Sequence, residues 1–259
     1  MTFDHIRLET TPSSVATISL ARPERLNAID EQTASELRSA VEQVARSDAR
    51  CLLVTGEGRA FSSGADLAAG DTLPEDAGEA LETHLNPLIE ALFALPIPVV
   101  AAVNGPCAGA GCSLALSADI VIAGRSAYFL QAFVNIGLVP DAGATWLLPR
   151  LAGRARAMEM MMLGERISAE RALEWGLISR MVEDEHLASE SVLLATNLAK
   201  GPTVALGLIR RLSREAEQRS LTEALAAERA AQREAGRSQD FANAVHAFRN
   251  KHQPRFEGR

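Results

Sequence analysis

The run from Val103 to Leu116, VNGPCAGAGCSLAL, sets glycines at 105, 109 and 111 where an apolar stretch gives way to a helical pattern. The stretch Pro98 to Val103 reads as a strand, and a helix is expected from near Gly111 through Leu114 and Leu116. Between them the main chain is almost bare of side chains, so a ligand can approach its N–H groups closely. The helix dipole adds partial positive charge at the same point, which suits an oxyanion. Tight packing is the competing use of such a turn. A phosphate loop fits poorly: the run lacks a Gly-Lys-Ser/Thr ending, and Leu114 stands where a dinucleotide fingerprint needs its third glycine.

Other chemistry is limited by the residue inventory. Cys51, Cys107 and Cys112 form an odd set without zinc-type pairing, and Cys51 and Cys112 lie in apolar surroundings. Reduced thiols in a cytoplasmic protein are the expected state. The histidines, His5, His84, His186, His246 and His252, are scattered without H-E-x-x-H or H-x-H spacing, so no metal site is expected. A net charge of −7 argues against nucleic acid or an anionic membrane as partner. The N-terminal MTFDHIRLET has no apolar stretch of signal length, and no transmembrane segment is expected.

The elements that must position these residues alternate along the chain, short apolar runs with helical stretches, as in a mixed α/β fold. Val15 to Leu20 and Cys51 to Thr55 read as strands, as does Ala118 to Ala123. Thr33-Ala-Ser-Glu36 is a candidate capping box for a helix with Leu37, Val41 and Val44 on one face. Residues 68–80, acidic and rich in small residues, are expected to form a mobile surface loop. A helix through Leu85, Leu88, Ile89 and Leu92 precedes the glycine run. After Pro202 only helices are expected, with a second capping box at Ser220 to Glu223 and a last helix carrying Phe241, Val245 and Phe248.

A second glycine-rich turn, FSSGADL at 61–67, follows the strand at 51–55. The pair of turns, with RPERLNAI at 22–29, residues 137–178 and DFANAVHAFRNKHQPRF at 240–256, resembles the crotonase (enoyl-CoA hydratase/isomerase) superfamily over essentially the whole chain. The resemblance implies a spiral of ββα units over 1–200 and a helical oligomerisation region over 201–259, building a homotrimer or a hexamer. It implies an acyl-CoA substrate that carries its own coenzyme A, and no permanently bound cofactor. Two backbone N–H groups would hold the thioester oxygen of an enolate, and matching the motifs puts them at Ser63 and Ala110. Arg25, Leu26, Ala28, Ala65, Asp66 and Leu67 match positions along the coenzyme A channel, with Asp66 read chiefly as a loop organiser. Lys251 and Phe256 match a terminal segment that reaches a neighbour's coenzyme A.

Hydratases of the family use two glutamates, and here those positions are Ser113 and Phe133. Neither side chain titrates near neutral pH, which disfavours hydration. One carboxylate, Asp141 in VPDAG, matches an active-site position of other branches, against a bland reading as a helix N-cap. A single base beside an oxyanion hole suits a double-bond isomerase, and residues 84–105 and 138–158 are most similar to the ring-epoxide isomerase branch of phenylacetate degradation. The stretch Tyr128 to Phe133 would lie near the acyl group, with Phe129 and Phe133 as candidates to pack against a ring and core packing the expected role of at least one of them. A slow hydratase, a non-catalytic acyl-CoA-binding subunit, and a dehalogenase with Asp141 as nucleophile are the alternatives; the last also needs a positioned histidine, for which His84 is the one candidate and its spacing gives little support.

Overall fold

In chain order, the elements are β1 (Ile6–Thr10), β2 (Val15–Leu20), α1 (Glu31–Ala45), β3 (Cys51–Gly56), α2 (Asn86–Ala94), β4 (Val99–Val103), β5 (Pro106–Ala108), α3 (Gly109–Leu116), β6 (Ile120–Gly124) and β7 (Tyr128–Leu130). Then follow α4 (Ala144–Ala152), α5 (Arg154–Leu163), β8 (Ile167–Ser168), α6 (Ala169–Trp175), β9 (Arg180–Val182), α7 (Leu187–Ala199), α8 (Thr203–Ala216), α9 (Leu221–Ala235) and α10 (Gln239–Arg249). This computed structural model describes residues 3–66 and 76–259. The expected loop at 68–80 therefore lies mostly outside the described residues, as does Leu67.

Strand alternation divides the core. The large sheet runs β1-β2-β3-β4-β6-β9, parallel except where β1 meets β2. Successive side chains of a strand point to opposite faces. Leu52 and Val54 of β3, with Val99, Ala101 and Val103 of β4, join the cluster under α1 and α2. Cys51, Leu53, Val100, Ala102 and Ile122 face the other way, against Leu187, Leu194, Ala195 and Ala199 of α7. Burial pushes the Cys51 thiol up to about 12, which makes it an inert apolar side chain. A smaller sheet, β5-β7-β8, stands apart and carries the start of α3.

Two helix starts differ from the sequence reading. α3 begins at Gly109 rather than near Gly111, because Gly109 adopts a left-handed φ of +51° and turns the chain directly from β5 into the helix. α1 is capped by Asp30, not by a box at Thr33: the Asp30 carboxylate accepts from Thr33 N–H at 2.7 Å. Glu36 reaches across instead to the N–H groups of Asp4 and His5, at 3.2 and 2.8 Å. The box at Ser220 does form, with both reciprocal bonds.

The C-terminal helices are tied to the sheet at particular side chains. Arg210 of α8 donates to Asp119 and to the carbonyls of Leu92, Phe93 and Leu95, capping the end of α2. Arg50, just before β3, donates to Thr203, Gly201 and the Phe256 carbonyl. The Asp240 carboxylate accepts the N–H groups of Glu257 and Gly258.

Candidate active site

The two glycine-rich turns lie back to back. Ser62 N–H donates to Pro106 O at 3.1 Å and Ser62 O accepts from Ala108 N–H at 2.9 Å, which pins the first turn along β5. The other edge of that turn is held by residues 22–29, through Ile29 N–H to Gly64 O at 2.8 Å and Asp66 N–H to Ile29 O at 3.0 Å. Packing this close demands the glycine at 111, where a Cβ would stand 2.4 Å from the Cβ of Ser62. A Cβ on Gly109 would come within 3.6 Å of Gly64 Cα and 3.7 Å of the Phe133 ring, so one point gathers both turns and the ring.

Two buried polar residues with no expected role organise this junction. Asn27, at φ +54°, donates to the carbonyls of Glu57 and Ala60 and accepts from Arg22 N–H. Ser62 donates to Asn27 O at 2.8 Å and accepts from Gly64 N–H at 3.2 Å. The signal for both was present in the short side chains of Asn and Ser, which bond the local backbone as Asn27 does at Arg22 and Ser62 at Gly64, but the partners that join the segments, Glu57 and Ala60 for Asn27 and Asn27 for Ser62, are remote in sequence.

The expected donor at Ser63 is corrected by one bond: its N–H is spent on Leu26 O at 2.9 Å. That bond forms because the Arg22–Ile29 segment lies against the turn, a contact invisible in the local sequence. Two residues on, the Ala65 N–H donates to none of the described residues. Ala110 is the second residue of α3, where amides have no partner within the helix, and no side chain caps that end.

Asp141 is also joined to α3. Ser113 Oγ donates to the Asp141 carbonyl at 3.1 Å, linking the first turns of α3 to the loop before α4. The N-cap reading for Asp141 fails, since α4 is capped by Gly143 at φ +82° with no side-chain bond. Ala142 between them is also left-handed, at φ +48°, an uncommon state for an L-residue that clusters at functional turns. The Asp141 Oδ1 is buried and has no hydrogen-bond partner among the described residues. Desolvation pushes this carboxyl from 3.8 up to about 6, so it exchanges a proton near neutrality. Phe129 is fully buried in the main core, while the Phe133 ring lies beside Gly109.

Arg25, Leu26, Ala28, Ala65 and Asp66 fall on one strip, where 22–29 pairs with 61–66. Arg22 bridges Asp30 at 3.1 Å and Asp66 at 3.0 Å across it. Phe256 is not part of that strip within one chain: its carbonyl bonds Arg50, before β3, whereas the strip follows the far end of β3, about 20 Å on for six residues. Lys251, at φ +56°, precedes that tail and is exposed. His84 is engaged with α1, through Ser35 at 3.0 Å and Glu31 at 3.6 Å. A cleft of about 1090 Å³ between α2, α4 and α8 includes neither Ala110 nor Asp141 among its lining residues.

The sequence from 10 to 259 matches the family Enoyl-CoA hydratase/isomerase. Over 95% of both chains it is 49% identical to the 1,2-epoxyphenylacetyl-CoA isomerase of Escherichia coli. It is 43% identical over the full length of both chains to a Rhodobacter capsulatus protein named "Probable enoyl-CoA hydratase". The fold superimposes on the crystal structure of enoyl-CoA hydratase from Bacillus anthracis with a TM-score of 0.94 at 30% identity, covering 99% of this chain and 100% of that one.

Proposed function

The chain belongs to the enoyl-CoA hydratase/isomerase family, and on that premise we propose that it is an acyl-CoA isomerase that shifts a double bond or rearranges a ring epoxide within a CoA thioester. The observation that carries this reading is Asp141. Among the described residues it is a carboxyl shifted by desolvation alone, to about 6, and tied through its carbonyl to Ser113, with no carboxylate at 113 or 133 to make an acid–base pair. The name of the Escherichia coli relative supports the ring-epoxide substrate.

In this reading the thioester oxygen accepts from the Ala110 N–H and from the Ala65 N–H, which replaces Ser63 because Ser63 is already bonded. Withdrawal of charge onto that oxygen acidifies the neighbouring carbon. Ionised Asp141 takes its proton, the two amides hold the enolate, and the same carboxyl returns the proton two carbons further along. Substrate and product are isomers, so one base suffices and no water is consumed. Arg25, Leu26, Ala28 and Asp66 line the approach of the coenzyme A, which arrives with the substrate; no resident cofactor is required.

The assembly proposed is a homotrimer or a dimer of trimers. Val134, Ile136, Leu138 and Val139, just before Asp141, and Phe241 and Phe248 of α10 are exposed in a single chain, which favours cover by further copies. Lys251 and Phe256 would then serve a neighbour's coenzyme A. Among the described residues no single helix is long and apolar enough to cross a membrane, and three buried free thiols favour a reducing compartment such as the cytoplasm.

The test is incubation of the protein with a 3-enoyl-CoA in D₂O. The expected result is a conjugated 2-enoyl ester carrying deuterium. Exclusive formation of a 3-hydroxyacyl ester from crotonyl-CoA, with no exchange, would reject the isomerase reading in favour of a hydratase.

A further inference from the structure

Nine polar or charged side chains are buried among the described residues, and eight of them, Asn27, Thr33, Ser62, Ser113, Ser117, Ser191, Arg210 and Asp240, bond to the protein. The ninth, Gln131, is fully buried, and neither its Oε1 nor its Nε2 has a partner among the described residues. An amide can form up to four hydrogen bonds, and burying it with none is strongly unfavourable, so its presence points to a group that comes from outside the chain.

Its place in the fold indicates which group. The parallel pairing of β5 with β7 runs Pro106 to Tyr128, Cys107 to Phe129 and Ala108 to Leu130. Gln131 follows the last paired residue of β7, and Gly109, the first residue of α3 and the neighbour of Ala110, follows the last paired residue of β5. Two residues beyond Gln131, the Phe133 ring approaches that same glycine. The segment 131–133 therefore reaches the N-terminal turn of α3 at Phe133, and its two buried side chains are an amide without partners among the described residues and an aromatic ring. In the proposed reaction the thioester oxygen is taken by backbone amides and the mobile proton by Asp141, which leaves Gln131 for a polar atom elsewhere on the acyl group.

We propose that Gln131 is a specificity-determining residue of the acyl site: its amide hydrogen-bonds an oxygen that the acyl group carries beyond the thioester, selecting oxygen-bearing rings over hydrocarbon acyl groups. This rests on the acyl-CoA isomerase reading. An epoxide or ether oxygen accepts from Nε2–H, whereas a hydrocarbon group leaves the amide unpaired. A site built to pair a polar substrate atom rejects the analogue lacking it far more strongly than an apolar pocket rejects a size difference.

The test compares Gln131→Leu and Gln131→Met with the unaltered protein on a ring-epoxide CoA ester and a 3-enoyl-CoA ester. The kcat/KM for the epoxide is expected to fall by about tenfold to a hundredfold, while that for the 3-enoyl ester stays within about threefold. An equal fall on both esters, as for a residue that only holds the fold or a bound water, overturns the proposal, and so does no change on either. A second measurement does not depend on the variants folding. The unaltered protein is titrated with two unreactive CoA thioesters that differ only by an ether oxygen in a saturated ring. Binding at least about tenfold tighter for the ether supports the proposal, and equal binding overturns it. If the unaltered protein turns over neither reactive ester, the isomerase reading fails, and the binding pair still decides the role of Gln131.

Discussion

Asp119 and Asp141 are each bonded to a neighbouring helix, yet they differ in every partner of the carboxylate. Asp119 accepts from Val99 N–H at 2.8 Å, from Arg210 at 2.6 Å and from Arg214 at 3.0 Å. Asp141 makes its bond to α3 through its carbonyl, and leaves Oδ1 buried with no partner among the described residues. The first arrangement spends the charge on tying α8 to the end of α2 and the start of β6. The second keeps the charge costly, which moves the carboxyl into the range where a proton can be taken and returned at neutral pH. The same side chain is an anchor where donors surround it and a proton carrier where they are withheld.

Asp141→Asn is the sharpest way to break this contrast. Isomerisation is expected to fall about a hundredfold to ten-thousandfold, with affinity for an unreactive CoA ester unchanged in a competition assay; full activity would remove Asp141 from the chemistry. Next in size is Gly111→Ala, whose new methyl group would collide with Ser62 and part the two turns. Loss of one aligned amide donor costs about a hundredfold to a thousandfold in kcat, and a variant with intact kcat would show that the turns need not touch.

The pH profile follows in magnitude. The base must be ionised, so kcat/KM should fall tenfold per pH unit below about 6 and level off above it. Stability moves the opposite way. Because the folded carboxyl holds its proton more tightly than a free aspartate at 3.8, the folded state gains relative stability at low pH and loses it as pH rises from 3.8 through about 6. Asp141→Asn should flatten that decline in a series of denaturant melts. The smallest effect on activity belongs to Asp119→Ala. It strips Arg210 of its counter-charge and should cost about 3 kcal/mol of stability by urea unfolding, while kcat per folded molecule stays within about twofold.

Much of this site is legible along the chain. Glycine spacing marks the turn into α3, the residues at 113 and 133 deny a glutamate pair, and Ser220 with Glu223 announces the start of α9. These features are decided within one strand–turn–helix unit, where backbone sterics and local capping dominate. Other readings failed where a distant segment settles a local bond. Ser63 loses its free amide to Leu26, and the N-cap of α1 passes to Asp30, while Glu36 turns to the N–H groups of Asp4 and His5.

The sequence by itself determined the alternating α/β order, the two glycine turns and the chemical types available between them. Only the tertiary structure decided which amides have no partner among the described residues, that Asp141 is desolvated rather than capping a helix, and that Gln131 is buried with no partner among those residues. The reason is physical: a residue's identity sets which bonds it can make, but whether those bonds are made depends on groups brought beside it by chains far away in sequence.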